Sequence, residues 1–381
     1  MKKVNIAMIG YKFMGKAHSY GYKNLPLFFG PEFRPVMKVI CGRNEAEVKA
    51  AAKQYGWEEW GTDWREVVAR DDIDLVDVSS NDNTHAAISI AAARAGKTVV
   101  CEKPMATSLA EAKDMLAAVR EAGVKHMLAF NLRRIPAIAL ARQFIEEGKI
   151  GRICHWRATW LSDWVMPEGF PLVWRLQKGS VGSGPLGDLG AHVVDLARFL
   201  VGEVEEVIGM WETFRKERPL VDDPTRTDQV TVDDAALFLA RFTNGALGSF
   251  EVTRFAGGNR QRFGLEINGD KGSLRFNFNY FSELHYFSWD DPPREQGFKV
   301  IYVGDPQHPY ARNWWPNGHF THYGSLFVNQ AYELFKALAN DEMPVPNFED
   351  GVRCQAVLEA VEKSIKERGW VRPADLLGAV A

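Results

Sequence analysis

Short apolar runs alternate with helical patterns along the first third of the chain. "VNIAMIG" precedes the pattern around "MGKAHSYGYKNL", "VMKVICG" precedes "NEAEVKAAAKQYG", and "IDLVDVSS" precedes "THAAISIAAARAG". "TVVCEKP" then precedes "SLAEAKDMLAAVREAG", and "KHMLAFN" follows. Fully apolar strands alternating with helices predict βαβ units and a parallel sheet covered on both faces. "GTDWREVVARDD" predicts a short turn and helix before the third of these strands. Gly56, Gly96 and Gly123 mark helix stops, since glycine takes the left-handed conformation that ends a helix without steric cost.

After about residue 150 the pattern changes. "RICHWRATWLSDW", "EVEEVIGMWETFR", "AALFLARF", "GALGSFEVTRF", "RFGLEING", "GSLRFNFN", "ELHYFSW" and "FKVIYVG" read as strands, with "TNG" and "NGDKG" as hairpin turns. Two helices interrupt them, "GDLGAHVVDLARFLVG" and "GSLFVNQAYELFKALAND", and a last helix follows at "EDGVRCQAVLEAVEKSIKERG". The expected class is α/β. A doubly wound parallel sheet occupies residues 1–130, and an α+β domain with a large, mainly antiparallel open sheet occupies 131–381. The last helix, about 349–369, is expected near the domain junction.

Composition supports this division. A chain of 381 residues exceeds one ordinary core, and 46% hydrophobic with 25% charged residues is globular. A net charge of −3 without a Lys/Arg cluster points away from nucleic acid and acidic membranes. Cys41, Cys101, Cys154 and Cys354 lack CxxC spacing and read as reduced thiols of a cytoplasmic protein. The apolar run in "MKKVNIAMIG" is too short for a signal segment, and no stretch is long and apolar enough to span a bilayer. Twelve tryptophans are many. Trp156, Trp160, Trp164 and Trp174, and again Trp314 and Trp315, predict a flat-walled pocket, a broad interface or sheet packing.

Candidate chemistry begins at "IGYKFMGKAH". This is almost the GxGxxG of a dinucleotide turn, with Lys12 in place of the second glycine. The order strand, turn, helix at the start of a parallel sheet is the required context. Gly10 would make the tight turn and Gly15 would let helix and strand pack. Lys12, Phe13 and Met14 complete the loop, and the Lys12 backbone N–H remains available to a phosphate. A plain βα turn is the lesser alternative from these residues alone.

Further along stand "SSNDNTH", "CEKPMA" and "GDLGAHVVD". Together with the loop they resemble the Gfo/Idh/MocA family of sugar and cyclitol oxidoreductases, over nearly the whole chain. "CGRNEAEVKAAAKQYGWEEWGTDW", "PLVWRLQK" and the Trp-Trp-Pro stretch are most similar to the levoglucosan dehydrogenase group of that family. The resemblance implies a Rossmann domain, NAD or NADP as cofactor, and a catalytic triad of Lys103, Asp188 and His192. It also implies a cofactor-lining set at Ser80, Asn81, Asn83, His85, Glu102 and Lys103.

The residues themselves permit those roles. Lys103 follows a strand end, where the open edge of a parallel sheet meets its ligand. In one helix Asp188 and His192 share a face, with Asp195 one turn beyond. The imidazole suits proton transfer near neutral pH and the carboxylate can fix it. Gly42, Arg43 and Asn44 stand where many Rossmann folds place an acidic residue for the ribose. Arg43 suits a 2′-phosphate or stacking on adenine, so NAD and NADP both remain open. Asn131 and Arg133 are further candidates for nicotinamide or substrate. Asp163, Trp164, Trp174 and Arg175 are candidates for a sugar pocket, and His319 and His322 for substrate. No metal-ligand spacing is evident.

The expected activity is NAD(P)-dependent oxidation of a secondary hydroxyl of a sugar, anhydrosugar or cyclitol. The alternatives are a glycosidase that oxidises its substrate transiently and a sugar-sensing protein without catalysis. The partner is a small-molecule sugar. By analogy with the family, the C-terminal sheets pair in a homodimer or homotetramer.

Overall fold

The computed structural model describes residues 2–30, 32–319 and 321–378. They form two compact units, one of residues up to Arg134 with His322–Val352, the other of Ile135–Thr321 with Arg353 onward.

The first unit opens with β1 (Lys2–Ile9), α1 (Phe13–Phe28), β2 (Phe33–Cys41), α2 (Glu45–Tyr55), β3 (Glu59–Gly61) and α3 (Trp64–Val68). It continues with β4 (Leu75–Val78), α4 (His85–Arg94), β5 (Thr98–Cys101), α5 (Leu109–Ala122) and β6 (His126–Leu128). The strands make one parallel sheet in the order β3-β2-β1-β4-β5-β6. The order reverses between β1 and β4, the position where doubly wound sheets take their ligands. Gly56 and Gly123 end α2 and α5 in the left-handed conformation, at φ 93° and 63°. Asn44 and Ser108 cap the same helices by accepting from Glu47 N and Glu111 N. β3 has only three residues, too few to carry a periodicity, and was not expected.

The second unit follows with α6 (Pro136–Glu146), β7 (Ile153–Leu161), α7 (Lys178–Val181), α8 (Pro185–Asp188), α9 (Gly190–Leu200) and β8 (Val204–Glu212). A small hairpin, β9 (Glu217–Pro219) with β10 (Thr227–Gln229), precedes β11 (Ala235–Phe242), β12 (Leu247–Thr253) and β13 (Arg262–Gly269). β14 (Gly272–Asn277), β15 (Glu283–Ser288) and β16 (Lys299–Tyr302) complete it. The large sheet runs β16-β15-β14-β13-β7-β12-β11-β8. Every pair is antiparallel except β7 with β12. One face is buried through Trp156, Phe238, Phe250, Phe263 and Phe276. The alternate positions Met210, Leu237, Leu239 and Leu247 are exposed, as the period of two requires.

The chain then returns. α10 (Tyr323–Ala339) belongs to the first unit. Its Ala331, Leu334 and Phe335 share a core with Tyr22 and Leu25 of α1 and with Ile6 and Met8 of β1. Contact is close because Gly21 has no side chain; a Cβ there would lie 2.6 Å from the Phe327 carbonyl oxygen. α11 (Phe348–Glu367) starts in the first unit and continues in the second, and α12 (Pro373–Leu377) closes the described chain. Among the described residues no helix is long and apolar enough to cross a membrane. None of the four cysteines is in a disulfide.

Candidate active site

In the first unit the loop after β1 has the form a dinucleotide requires. Gly10 sits at φ 121°, and a Cβ on it would lie 2.3 Å from the Ser79 carbonyl oxygen. Gly15 faces the loop so closely that its Cβ would meet the Gly10 carbonyl oxygen at 2.1 Å. The two glycines thus bring β1, β4 and α1 together at the sheet's switch point. α1 begins at Phe13, so the first-turn N–H groups of Phe13, Met14 and Gly15 lack intrahelical acceptors and suit a phosphate. Lys12 precedes the helix, and its ammonium turns to Glu47, with which Tyr11 also shares a hydrogen bond of 2.7 Å. The backbone of Lys12 serves the loop while its charge is held elsewhere. Phe13 is exposed and stacks on Tyr323 at 6.3 Å.

Gly42 is fixed by packing: a Cβ there would fall 2.1 Å from the Tyr11 ring. Arg43 beside it is exposed. After β4, Ser80 and Asn81 are half-buried and Asn83 is exposed. His85 is fully buried, with Nδ1 2.9 Å from the Pro104 carbonyl and Nε2 3.2 Å from that of Ser80. It ties the Ser80 turn to the turn after β5, which is a structural task.

Glu102 has a similar one. Its Oε2 accepts from Lys103 N at 3.0 Å, and its Oε1 lies 2.8 Å from His18 Nε2. Lys103 is half-buried at the end of β5, and its peptide bond to Pro104 is cis. Asn131 is buried, and its Oδ1 has no hydrogen-bond partner within the described protein. An orphaned buried acceptor of this kind suits a ligand donor. Arg133 is also buried, but its Nη2 binds Asp350 Oδ1 at 3.0 Å. The glycine cradle and Asn131 together fit a nicotinamide dinucleotide.

In the second unit Asp188 closes α8 and His192 lies in the first turn of α9. The expected single helix is broken at Leu189, which keeps helical dihedrals of φ −88° and ψ −39°. The spacing of one turn therefore survives the break. Asp233, fully buried, accepts from Gly184 N and Leu186 N and so fixes α8. Burial pushes its carboxyl pKa up, against the pull of those two N–H groups and of Arg254. His192 is buried and stacks on Trp160 at 5.3 Å, and Trp160 stacks in turn on Phe263. Asp195 is buried on the same helix. Of the other tryptophans, Trp156 is sheet core and Trp315 is exposed.

Two of the sugar-pocket candidates, Trp164 and Arg175, meet a residue not expected from the sequence, Arg254. It donates to Asp188 Oδ2 at 2.7 Å and to the Arg175 carbonyl at 3.3 Å, and its guanidinium lies 5.3 Å from the Trp164 ring centre. Arg175 lies 4.2 Å over the Trp174 ring. Asp163 accepts from Gly258 N at 3.2 Å. His319 is exposed in the second unit and His322 is exposed in the first. The His319 ring lies 3.2 Å from the Pro316 carbonyl, and His322 caps α10 by accepting from Gly324 N. Arg254 had one legible signal. It falls on the buried phase Gly248, Phe250, Val252 of β12, where an arginine is out of place unless it has a task.

A switch-point cradle for a dinucleotide is the nucleotide site of a Rossmann-type oxidoreductase. The chain belongs to the Gfo/Idh/MocA family. Residues 4–130 match the oxidoreductase family with NAD-binding Rossmann fold, and residues 138–275 match the GFO/IDH/MocA C-terminal domain. Levoglucosan dehydrogenase of Pseudarthrobacter phenanthrenivorans is 41% identical, over 97% of this chain and 98% of its own. A solved levoglucosan dehydrogenase in complex with NADH and L-sorbose has a TM-score of 0.95 at 41% identity, covering 98% of this chain and 99% of that one. An oxidoreductase domain protein from Kribbella flavida has a TM-score of 0.94 at 47% identity, with the same coverage. The protein is an NAD(P)-dependent oxidoreductase acting on the CH–OH group of a sugar or cyclitol, as the motifs implied.

Proposed function

We propose that the chain is a dehydrogenase of anhydrosugars and related pyranoses, with levoglucosan the first substrate to try and NAD the preferred cofactor. The similarity to levoglucosan dehydrogenase over almost the full length of both chains carries this reading. Gly10, Gly15 and the first turn of α1 hold the pyrophosphate, and Asn131 accepts from the ligand at its buried end. The bound cofactor contributes its capacity to accept a hydride. His192 takes the proton of the reacting hydroxyl, since imidazole exchanges protons near neutral pH. Lys103 stabilises the developing alkoxide by its charge. Asp188 orients the hydroxyl and the imidazole. Trp164 and Trp174 offer flat faces to the C–H patches of a sugar ring.

The test is a screen of anhydrosugars, monosaccharides and inositols with NAD and NADP separately, read by absorbance of the reduced cofactor. Reduction with levoglucosan and NAD is expected. Reduction only with an inositol, or only with NADP, overturns the substrate or the cofactor assignment. Cleavage of a glycoside without net reduction overturns both. We further propose that the exposed Met210, Leu237, Leu239 and Leu247 face pairs with a second copy. Light scattering at the mass of a monomer overturns that pairing.

A further inference from the structure

Arg254 is 1% exposed and directly follows β12. Its Nη2 binds one carboxylate oxygen of Asp188 and its Nη1 binds the Arg175 carbonyl, while its Nε has no partner within the described protein. Trp164 lies over its guanidinium carbon. A guanidinium buried so completely is costly unless a negative group meets it, and the Asp188 carboxylate does. Asp233, also buried, fixes the start of α8 through two backbone N–H groups, and the charge of Arg254 acts on it. Asp188 is at the other end of α8, with a side chain 30% exposed. The helix that presents Asp188 is thus held at its start by Asp233 and at its end by Arg254.

We propose that Arg254 is a positioning residue: it keeps Asp188 ionised and aimed, so that Asp188 can orient the reacting hydroxyl and His192. The proposal rests on the dehydrogenase reading above. Its planar fork is what the task needs, because one side chain must reach a carboxylate and a carbonyl together. A lysine reaches one of them.

The test compares wild type with Arg254→Ala and Arg254→Lys. NADH affinity, measured by fluorescence titration, is expected to stay within about twofold in both variants. Arg254→Ala is expected to lose about 10²-fold in kcat, the scale of a misplaced catalytic geometry. The acid limb of its pH–rate profile should move to higher pH, because Asp188 then lacks its cation. Added guanidinium ion should restore part of kcat in Arg254→Ala and have no effect on wild type, and Arg254→Lys should be intermediate. An unchanged kcat, or a loss with an unmoved acid limb and no response to guanidinium, overturns the proposal. A double-mutant cycle in Tm with Asp188→Asn gives a reading independent of turnover. Additive shifts overturn the ion pair, whereas Asp188→Asn costing little once Arg254 is gone supports it. Wild type without turnover on any sugar overturns the dehydrogenase reading, and the cycle still decides whether Arg254 holds Asp188.

Discussion

His18 Nε2 lies 2.8 Å from Glu102 Oε1, and its Nδ1 lies 2.7 Å from Asp77 Oδ2. Both partners are carboxylates, so both ring nitrogens donate and the ring is an imidazolium. Asp77 accepts further from Tyr22 and Ser79 at 2.7 Å each. Glu102 passes the constraint to the Lys103 backbone. Lys103 is therefore placed by a buried charge cluster that begins on α1.

That cluster makes stability depend on alkaline pH. Burial alone would push the His18 pKa down, but Asp77 and Glu102 outweigh it and raise the pKa from 6.5 to about 10. A raised histidine contributes stability in full below its unfolded pKa and loses it as pH rises through the folded value. Urea denaturation should give a His18→Ala variant about 3–5 kcal/mol less stable than wild type at pH 6, because two buried carboxylates lose their cation. The difference should shrink as the pH approaches 10. A constant difference across that range contradicts the charged state.

His126 works in the opposite sense. Its Nδ1 accepts from Phe348 N at 3.1 Å, which requires a bare nitrogen. Burial, with Arg120 assisting against the pull of Glu349, lowers its pKa to about 4. Between about 4 and 6.5 the unfolded chain binds the extra proton, so this group makes stability fall as pH drops through that window. His126→Asn should flatten the slope of unfolding free energy against pH there. An unaltered slope rules out His126 as its source.

Gly10→Ala should damage both fold and ligand binding. The added Cβ meets the Ser79 carbonyl, and φ of 121° disfavours a side chain. A loss of about 1–3 kcal/mol is expected from the backbone conformation alone, with NADH affinity at least about tenfold weaker. Calorimetry and fluorescence titration measure the two effects. Unchanged affinity removes the loop from the cofactor site.

His192→Ala should reduce kcat by about 10²–10⁴-fold, the range for loss of a positioned base, with NADH affinity nearly intact. The matching ionisation should vanish from the pH–rate profile. Lys103→Ala should also be severe but keep that ionisation, and Lys103→Arg should rescue little. If the ionisation disappears with Lys103 instead, Lys103 is the base.

Local patterns made much of this readable. The alternation of strands and helices gave the parallel sheet because each βαβ unit carries its own periodicity. Gly10, Lys103 and Asp188 with His192 stood in short motifs whose neighbours are near in sequence. What escaped was held by distant partners. Arg254 meets Asp188 across 66 positions and His18 meets Glu102 across 84. The partners of Glu102 and His85 were likewise not legible: Glu102 meets His18, and His85 lies against the Pro104 and Ser80 carbonyls. The short β3, β9 and β10 offered too few residues for a period.

The return of α10 to the first unit has a consequence for biosynthesis. A growing chain that has released the first 134 residues has made all six strands of the parallel sheet. It has not yet made Ala331, Leu334 and Phe335, which cover Tyr22 and Leu25. The nucleotide-binding half is translated first, yet it is completed only after residues 135–321 of the second unit have been made. Until α10 leaves the ribosome, α1 presents an apolar stripe that other nascent chains can reach, which is the surface a holdase chaperone recognises. Adding α10 in trans to such an interrupted chain would supply the missing cover.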